Sequence, residues 1–249
     1  MLTRRFFTMM VMGAIMVHLP FISGKTQPNF FVTTSNLFIP TQVDVAADEA
    51  MTIYTQLKLE NLGLSKNAFE YALKGYNNLK ESGKLKNDRV LSIVDFTLQS
   101  SRKRLFIIDL NNKKVLFNTF VAHGRNSGKD IASQFSNIGE SYQSSLGFYI
   151  TKDTYNGAHG FSLRLEGEEK GFNDNAFNRA IVMHSAWYVD EKIAKSQGYM
   201  GRSQGCPAIP EALNKPIIET IKNGSCLFLY SSDNNYLSHS KFVNKVKTV

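Results

Sequence analysis

Cys206 is one of only two cysteines in the 249-residue chain, and its neighbours suit a nucleophile. The stretch Gly201-Arg202-Ser203-Gln204-Gly205-Cys206-Pro207 is polar and glycine-rich, as a loop must be to let another molecule approach. A thiol with a pKa of about 8.5 is only a few per cent thiolate at neutral pH, so attack on a carbonyl needs a neighbouring base. His184 offers that residue type 22 positions earlier, at the end of the apolar run Ala180-Ile181-Val182-Met183-His184, where a strand could aim the ring outward. Imidazole titrates near neutral pH and can act as base toward the thiol and as acid toward a leaving amine. Gly205 beside the nucleophile would let a substrate carbonyl approach backbone N–H groups that stabilise an oxyanion. Pro207 has no N–H, which leaves Gly205 and Cys206 as donors, with Gln204 as a third.

The remaining chemistry-bearing residues are less concentrated. Cys226 lies in Ser225-Cys226-Leu227-Phe228-Leu229-Tyr230, which reads as a buried strand, so the two cysteines resemble a core residue and a site residue more than a disulfide pair. His123 and His159 each precede a glycine in loop-like surroundings. Each reads either as a substrate contact or as a histidine that hydrogen-bonds its own loop. No close ligand pair such as H-x-x-x-H or C-x-x-C joins these residues, so neither a metal nor any other cofactor is expected. Trp187 and Tyr188 follow His184 and could line a cleft or belong to the core.

The formal charge of +8 raises nucleic-acid binding as a class, but Lys and Arg are scattered, without a basic run or an interleaved aromatic stripe. The expectation is therefore no nucleic-acid partner, with a basic surface suited to an anionic envelope.

The elements that must hold these residues follow from periodicity. From Asp48 to about residue 85 the spacing is helical: Ala50, Ile53, Tyr54 and Leu57 share one face, Ser65 can cap a second helix, and Phe69, Leu73 and Tyr76 recur on it. Strands are expected over 90–98, 104–110, 114–122, 146–151, 161–165, 180–184 and 226–230, with a tight hairpin at Asn111-Asn112. Short helices fit 190–197 and 210–222. The expected class is mainly β, α+β, with a helical N-terminal portion and a mobile polar tail over 232–249.

Residues 1–24 differ in composition. Arg4 and Arg5 precede the apolar run 6–17, and Pro20, Ser23 and Gly24 close the segment, which reads as a signal peptide. Thr3-Arg4-Arg5-Phe6-Phe7 is similar to a twin-arginine signal. The expectation is an exported protein of the periplasm or cell envelope, with transient inner-membrane contact through this segment. Residues 25–47, with Pro28 and Pro40, read as a tether.

His184 followed by Ser203-Gln204-Gly205-Cys206 resembles the signature of YkuD-type L,D-transpeptidases, and further stretches are similar to the murein L,D-transpeptidase catalytic-domain branch. These are Val94-Asp95-Phe96, Val121-Ala122-His123-Gly124-Arg125-Asn126-Ser127-Gly128, Ser145-Leu146-Gly147-Phe148-Tyr149, Ser162-Leu163-Arg164-Leu165 and Gly201–Ala208. The resemblance runs from about residue 50 to 231 and implies a β-sandwich catalytic domain over 48–231. It implies that Cys206 attacks a peptidoglycan tetrapeptide stem, releases D-alanine, and passes the acyl group to an amine on another stem. It also implies that the Ser185 carbonyl orients the His184 ring and that Ser203 shapes the nucleophile loop. Two departures stand out: the family's common histidine between Ser and Gly is Gln204, and the arginine soon after the cysteine is absent. Arg202, Arg125 or Arg164 could hold a substrate carboxylate instead. Water as acceptor would make the same site an L,D-carboxypeptidase, and loss of chemistry on a retained fold would leave a wall-binding module. Sortases share the His-before-Cys order, but the 22-residue gap is short for them.

Overall fold

The computed structural model describes residues 42–244, with side chains from residue 48. The expected signal segment lies outside the described residues, as does most of the expected tether. Helix α1 (Gln42–Gln56) begins inside the stretch read as tether and buries Ala50, Ile53 and Tyr54. Helix α2 (Lys66–Glu81) starts at the Ser65 cap, whose hydroxyl accepts the Ala68 N–H at 3.1 Å. Its Phe69, Leu73, Tyr76 and Leu79 are buried. Gly75 lies on the same face because a Cβ there would fall 2.0 Å from the Phe148 ring.

The strands follow as β1 (Val90–Asp95), β2 (Leu105–Asp109), β3 (Lys114–Thr119), β4 (Gly147–Gly157), β5 (Gly160–Gly167), β6 (Val182–Ser185), β7 (Ala208–Ile209) and β8 (Cys226–Tyr230). Helix α3 (Glu191–Gln197), capped by Asp190, separates β6 from β7, and α4 (Asn214–Ile221) separates β7 from β8. Where a β-sandwich was expected, the strands pair as one mixed eight-stranded sheet in the order β3-β2-β1-β8-β4-β5-β6-β7. Strand β8 pairs parallel with β1 and antiparallel with β4 and so joins both halves. All five of its residues are buried, as a strand paired on both edges and covered on both faces requires. Cys226 therefore sits in the sheet's centre, opposite Leu91 and Ile150, and both cysteines are free thiols.

Two local expectations also change. The β2–β3 turn has its positive φ at Lys113, not at an asparagine. Asn112 instead caps the strand end, its backbone and side-chain amides reaching the Asp109 carboxylate at 2.9 and 3.0 Å. The expected mobile tail carries α5 (Asn234–His239) and α6 (Lys241–Asn244). Buried Tyr236 and Val243 give these short helices an apolar anchor. The buried Glu169 carboxylate ties them down, accepting from the Phe148 N–H at 2.8 Å, the Tyr236 hydroxyl at 2.7 Å and the Ser240 hydroxyl. Burial pushes that carboxyl's pKa up.

Candidate active site

The parallel pair β6–β7 places His184 opposite Ala208 and Ser185 opposite Ile209. Cys206 lies two residues before Ala208, and its Sγ–H donates to the Ala180 carbonyl, 3.7 Å away, just ahead of β6. His184 thus lies on one strand of this edge, and Cys206 on the loop that leads into the neighbouring strand. Ala180 holds a positive φ of 52°, a conformation a non-glycine residue adopts only where its surroundings enforce it.

The His184 ring is 3% exposed, and its Nδ1 lies 2.8 Å from the Ser185 carbonyl oxygen. A carbonyl can only accept, so Nδ1 carries the proton and Nε2 keeps the lone pair that a base needs. Burial lowers this imidazole's pKa, the nearby His159 lowers it further, and the Ser185 carbonyl opposes both. The ring is therefore neutral at neutral pH. His159, exposed at the tip of the β4–β5 hairpin, stacks on it with centroids 4.3 Å apart and planes 19° off parallel.

Hydroxyl groups brace the nucleophile loop from within. Ser203 Oγ donates to the Cys206 carbonyl at 2.6 Å and accepts the Gly205 N–H at 3.0 Å. Ser144 Oγ donates to the Gly205 carbonyl at 3.2 Å and accepts the Gly124 N–H at 3.0 Å. Gly205 has a φ of 124°, and a Cβ there would lie 2.8 Å from the Gln143 carbonyl, so only glycine fits. The expected oxyanion donor Gly205 is corrected, because its N–H is already engaged by Ser203. The amides of Cys206 and Gln204 remain the candidates. Burial pushes the half-buried Cys206 thiol up, while the Val182 backbone and the Arg179 guanidinium pull it down.

The other residues expected to contact substrate divide into buried and exposed ones. Ser203 is 4% exposed and acts inside its loop. His123 is fully buried beneath that loop, with Nδ1 2.6 Å from Arg104 Nη2 and Nε2 3.2 Å from the Gly128 carbonyl. Because a guanidinium only donates, Nδ1 accepts and Nε2–H donates. Burial and the adjacent charge lower the pKa of His123 to about 4. Its backbone carbonyl accepts the Ser203 N–H at 2.9 Å, so it braces the loop from within the protein. Arg202 is exposed and hydrogen-bonds the carbonyls of Arg125 and Gly128 at 3.3 and 3.2 Å, on the loop's outer side. Arg125 covers the Tyr142 ring at 3.9 Å, and Gln204 is exposed. Arg164 on β5 is held by Asp153 of β4.

A catalytic-domain family model covers most of this architecture: the L,D-transpeptidase catalytic domain matches residues 60–230. The chain belongs to this family. Among solved structures, it is similar to an L,D-transpeptidase from Mycobacterium smegmatis, at 14% identity and a TM-score of 0.35, covering 57% of this chain and 59% of that one. An L,D-transpeptidase from Stackebrandtia nassauensis gives 12% identity and a TM-score of 0.35, covering 67% and 68%. One from Mycobacterium tuberculosis H37Rv gives 11% identity and a TM-score of 0.34, covering 57% and 58%. The chain thus spans less than two thirds of the first and third of these proteins. Comparison with curated proteins found no match.

Within this L,D-transpeptidase-family domain, sequence reasoning missed Arg179. It stands directly before the apolar run that leads into β6, and its head group reaches the loop over 136–145. A cation directly ahead of a buried strand was the available signal. Among the described residues, no group of three or more His, Cys, Asp or Glu side chains is arranged to hold a metal ion. No described helix is long and apolar enough to cross a membrane. A basin of about 890 Å³ lined by Lys84, Lys86, Lys152 and Lys170 includes none of the site residues.

Proposed function

We propose that the chain is an exported L,D-transpeptidase that remodels peptidoglycan through a Cys206 thioester. The observation that carries this reading is the β6–β7 edge, where His184, oriented by the Ser185 carbonyl, stands beside the loop that bears Cys206. Nε2 of His184 takes the thiol proton and the thiolate attacks the carbonyl that precedes the terminal D-alanine of a tetrapeptide stem. The C–N bond breaks, the thioester C–S bond remains, and the leaving amine takes the proton back from the imidazolium. An amine of a second stem then attacks the thioester, gives its proton to His184, and releases the thiolate with a new amide. Export rests on the composition of residues 1–24, with the cell envelope as the site of action.

The test is intact-protein mass spectrometry of wild type and Cys206→Ala with a disaccharide tetrapeptide. Wild type should release D-alanine and carry a transient acyl adduct, and the variant should lose turnover by about a thousandfold or more. Dimeric products mark transpeptidation; trimmed monomers mark water as the acceptor. Absence of both D-alanine and adduct in the wild type would overturn the proposal and favour a binding role. Turnover should also fall as pH drops through the lowered pKa of His184, because the base must be neutral.

A further inference from the structure

Arg179 lies next to Ala180, whose carbonyl receives the Cys206 thiol. Its guanidinium reaches the far side of the same loop. Nη1 donates to the Ser136 carbonyl at 2.7 Å and to Ser145 Oγ at 2.5 Å, and Nη2 donates to Ser141 Oγ at 3.1 Å and to the Gln143 carbonyl at 2.8 Å. A Cβ placed on Gly205 would sit 3.4 Å from Nη2, so the charge lies beside the nucleophile's immediate neighbour. The Nε–H is buried and has no acceptor.

Every hydrogen-bond partner that the structure gives Arg179 is neutral: two carbonyls and two hydroxyls. A half-buried cation held this way keeps its charge uncompensated, at a desolvation cost that an anion nearby would offset. The anion that forms there during turnover is the thiolate of Cys206. Of the other titratable groups at the site, Tyr188 after β6 is held protonated by burial, and His184, on which His159 stacks, is neutral until it takes the thiol proton, so Arg179 is the positive charge already in place before the thiolate forms.

We propose that Arg179 is a positioning residue for the nucleophile, tying the 136–145 loop to the nucleophile loop and supplying the positive charge that stabilises the Cys206 thiolate. This rests on Cys206 being the nucleophile, and it gives the loop a guanidinium in a chain that lacks an arginine soon after the cysteine. The interaction lowers the energy of the thiolate relative to the thiol and adds no bond to substrate.

The experiment is the pH profile of iodoacetamide labelling at Cys206 in wild type, Arg179→Lys and Arg179→Gln, followed by intact mass, with Cys206→Ala as the blank and thermal unfolding run in parallel. Arg179→Gln should move the labelling midpoint to higher pH and slow labelling at pH 7 on the order of tenfold. Arg179→Lys keeps the charge and loses the fork, so its midpoint should stay near that of wild type even though its stability falls. If the glutamine variant does not fold, Arg179→Ala serves the same comparison. A wild-type midpoint in the neutral variants, or an equal displacement in the lysine variant, would overturn the proposal. A displaced midpoint in an enzyme that ignores stem peptides would refute the substrate and leave the role of Arg179 standing.

Discussion

Arg104 and Arg179 are two cations withdrawn from water on either side of the nucleophile loop, and their partners differ. Arg104 is fully buried, and its Nε, Nη1 and Nη2 atoms all find acceptors: the Val121 carbonyl twice, the Leu98 carbonyl, and the His123 ring. Burial brings its pKa down to about 9, so it is still charged at neutral pH, and the Phe96 ring at 5.0 Å adds a cation–π contact. The imidazole beside it is locked neutral. Arg179 is half-buried, has one N–H without an acceptor, and stands next to a group that can become an anion. The same residue type serves as a strut in one place and a charge reservoir in the other. Local saturation of hydrogen bonds, not depth alone, separates the two.

The largest test of that contrast is Arg104→Ala. Removing it leaves two buried carbonyls and an imidazole without their donor and opens a cavity, so unfolding in urea should show a loss of about 3 kcal/mol or more. Stability equal to wild type would mean that Arg104 is not a strut. Next comes pH. His123 has a folded pKa of about 4 against 6.5 when exposed, so its contribution is complete above 6.5. As pH falls from 6.5 to 4 the unfolded chain binds a proton that the folded chain refuses, and about 3 kcal/mol is lost over that window. Denaturant midpoints across the window should fall more steeply for wild type than for His123→Gln; parallel curves would remove the neutral lock from the picture. The smallest change is Ser203→Ala, which deletes the hydroxyl that bridges the Gly205 N–H and the Cys206 carbonyl. Calorimetry should register about 1–2 kcal/mol. Cys206 labelling should slow beyond what that loss predicts, because the loop itself loosens; unaltered labelling would show that Ser144 alone sets the loop.

Periodicity located α2 and most strands, since a buried run such as 226–230 or a capped amphipathic run after Ser65 carries its own signal, whereas the short α5 and α6 in the polar tail carried none. The sheet's order was not legible. It depends on β8 pairing with strands far from it in sequence, and period-two patterns say nothing about partners. At the site, Cys206 and His184 could be singled out because nucleophile and base chemistry restricts residue types, and the structure sets them along one β6–β7 edge. His123 and His159 could not be told apart: both are His-Gly in loops, yet one is sealed by an arginine 19 residues away and the other lies open on a hairpin tip. Arg179 escaped notice because its partners, Ser136 to Ser145, lie 34 to 43 residues upstream.

The central position of β8 has a consequence for assembly. Without it, β1–β3 and β4–β7 share no ladder and meet only through the bridges Ala122–Ala208 and Gly124–Ser203, so a nascent or clipped chain that ends before residue 226 leaves the facing edges of β1 and β4 open. Folding of this domain cannot proceed by stacking units in the order of synthesis. Its nucleation must wait for a long-range closure, the kind of topology that folds slowly and needs protection from self-association until it closes.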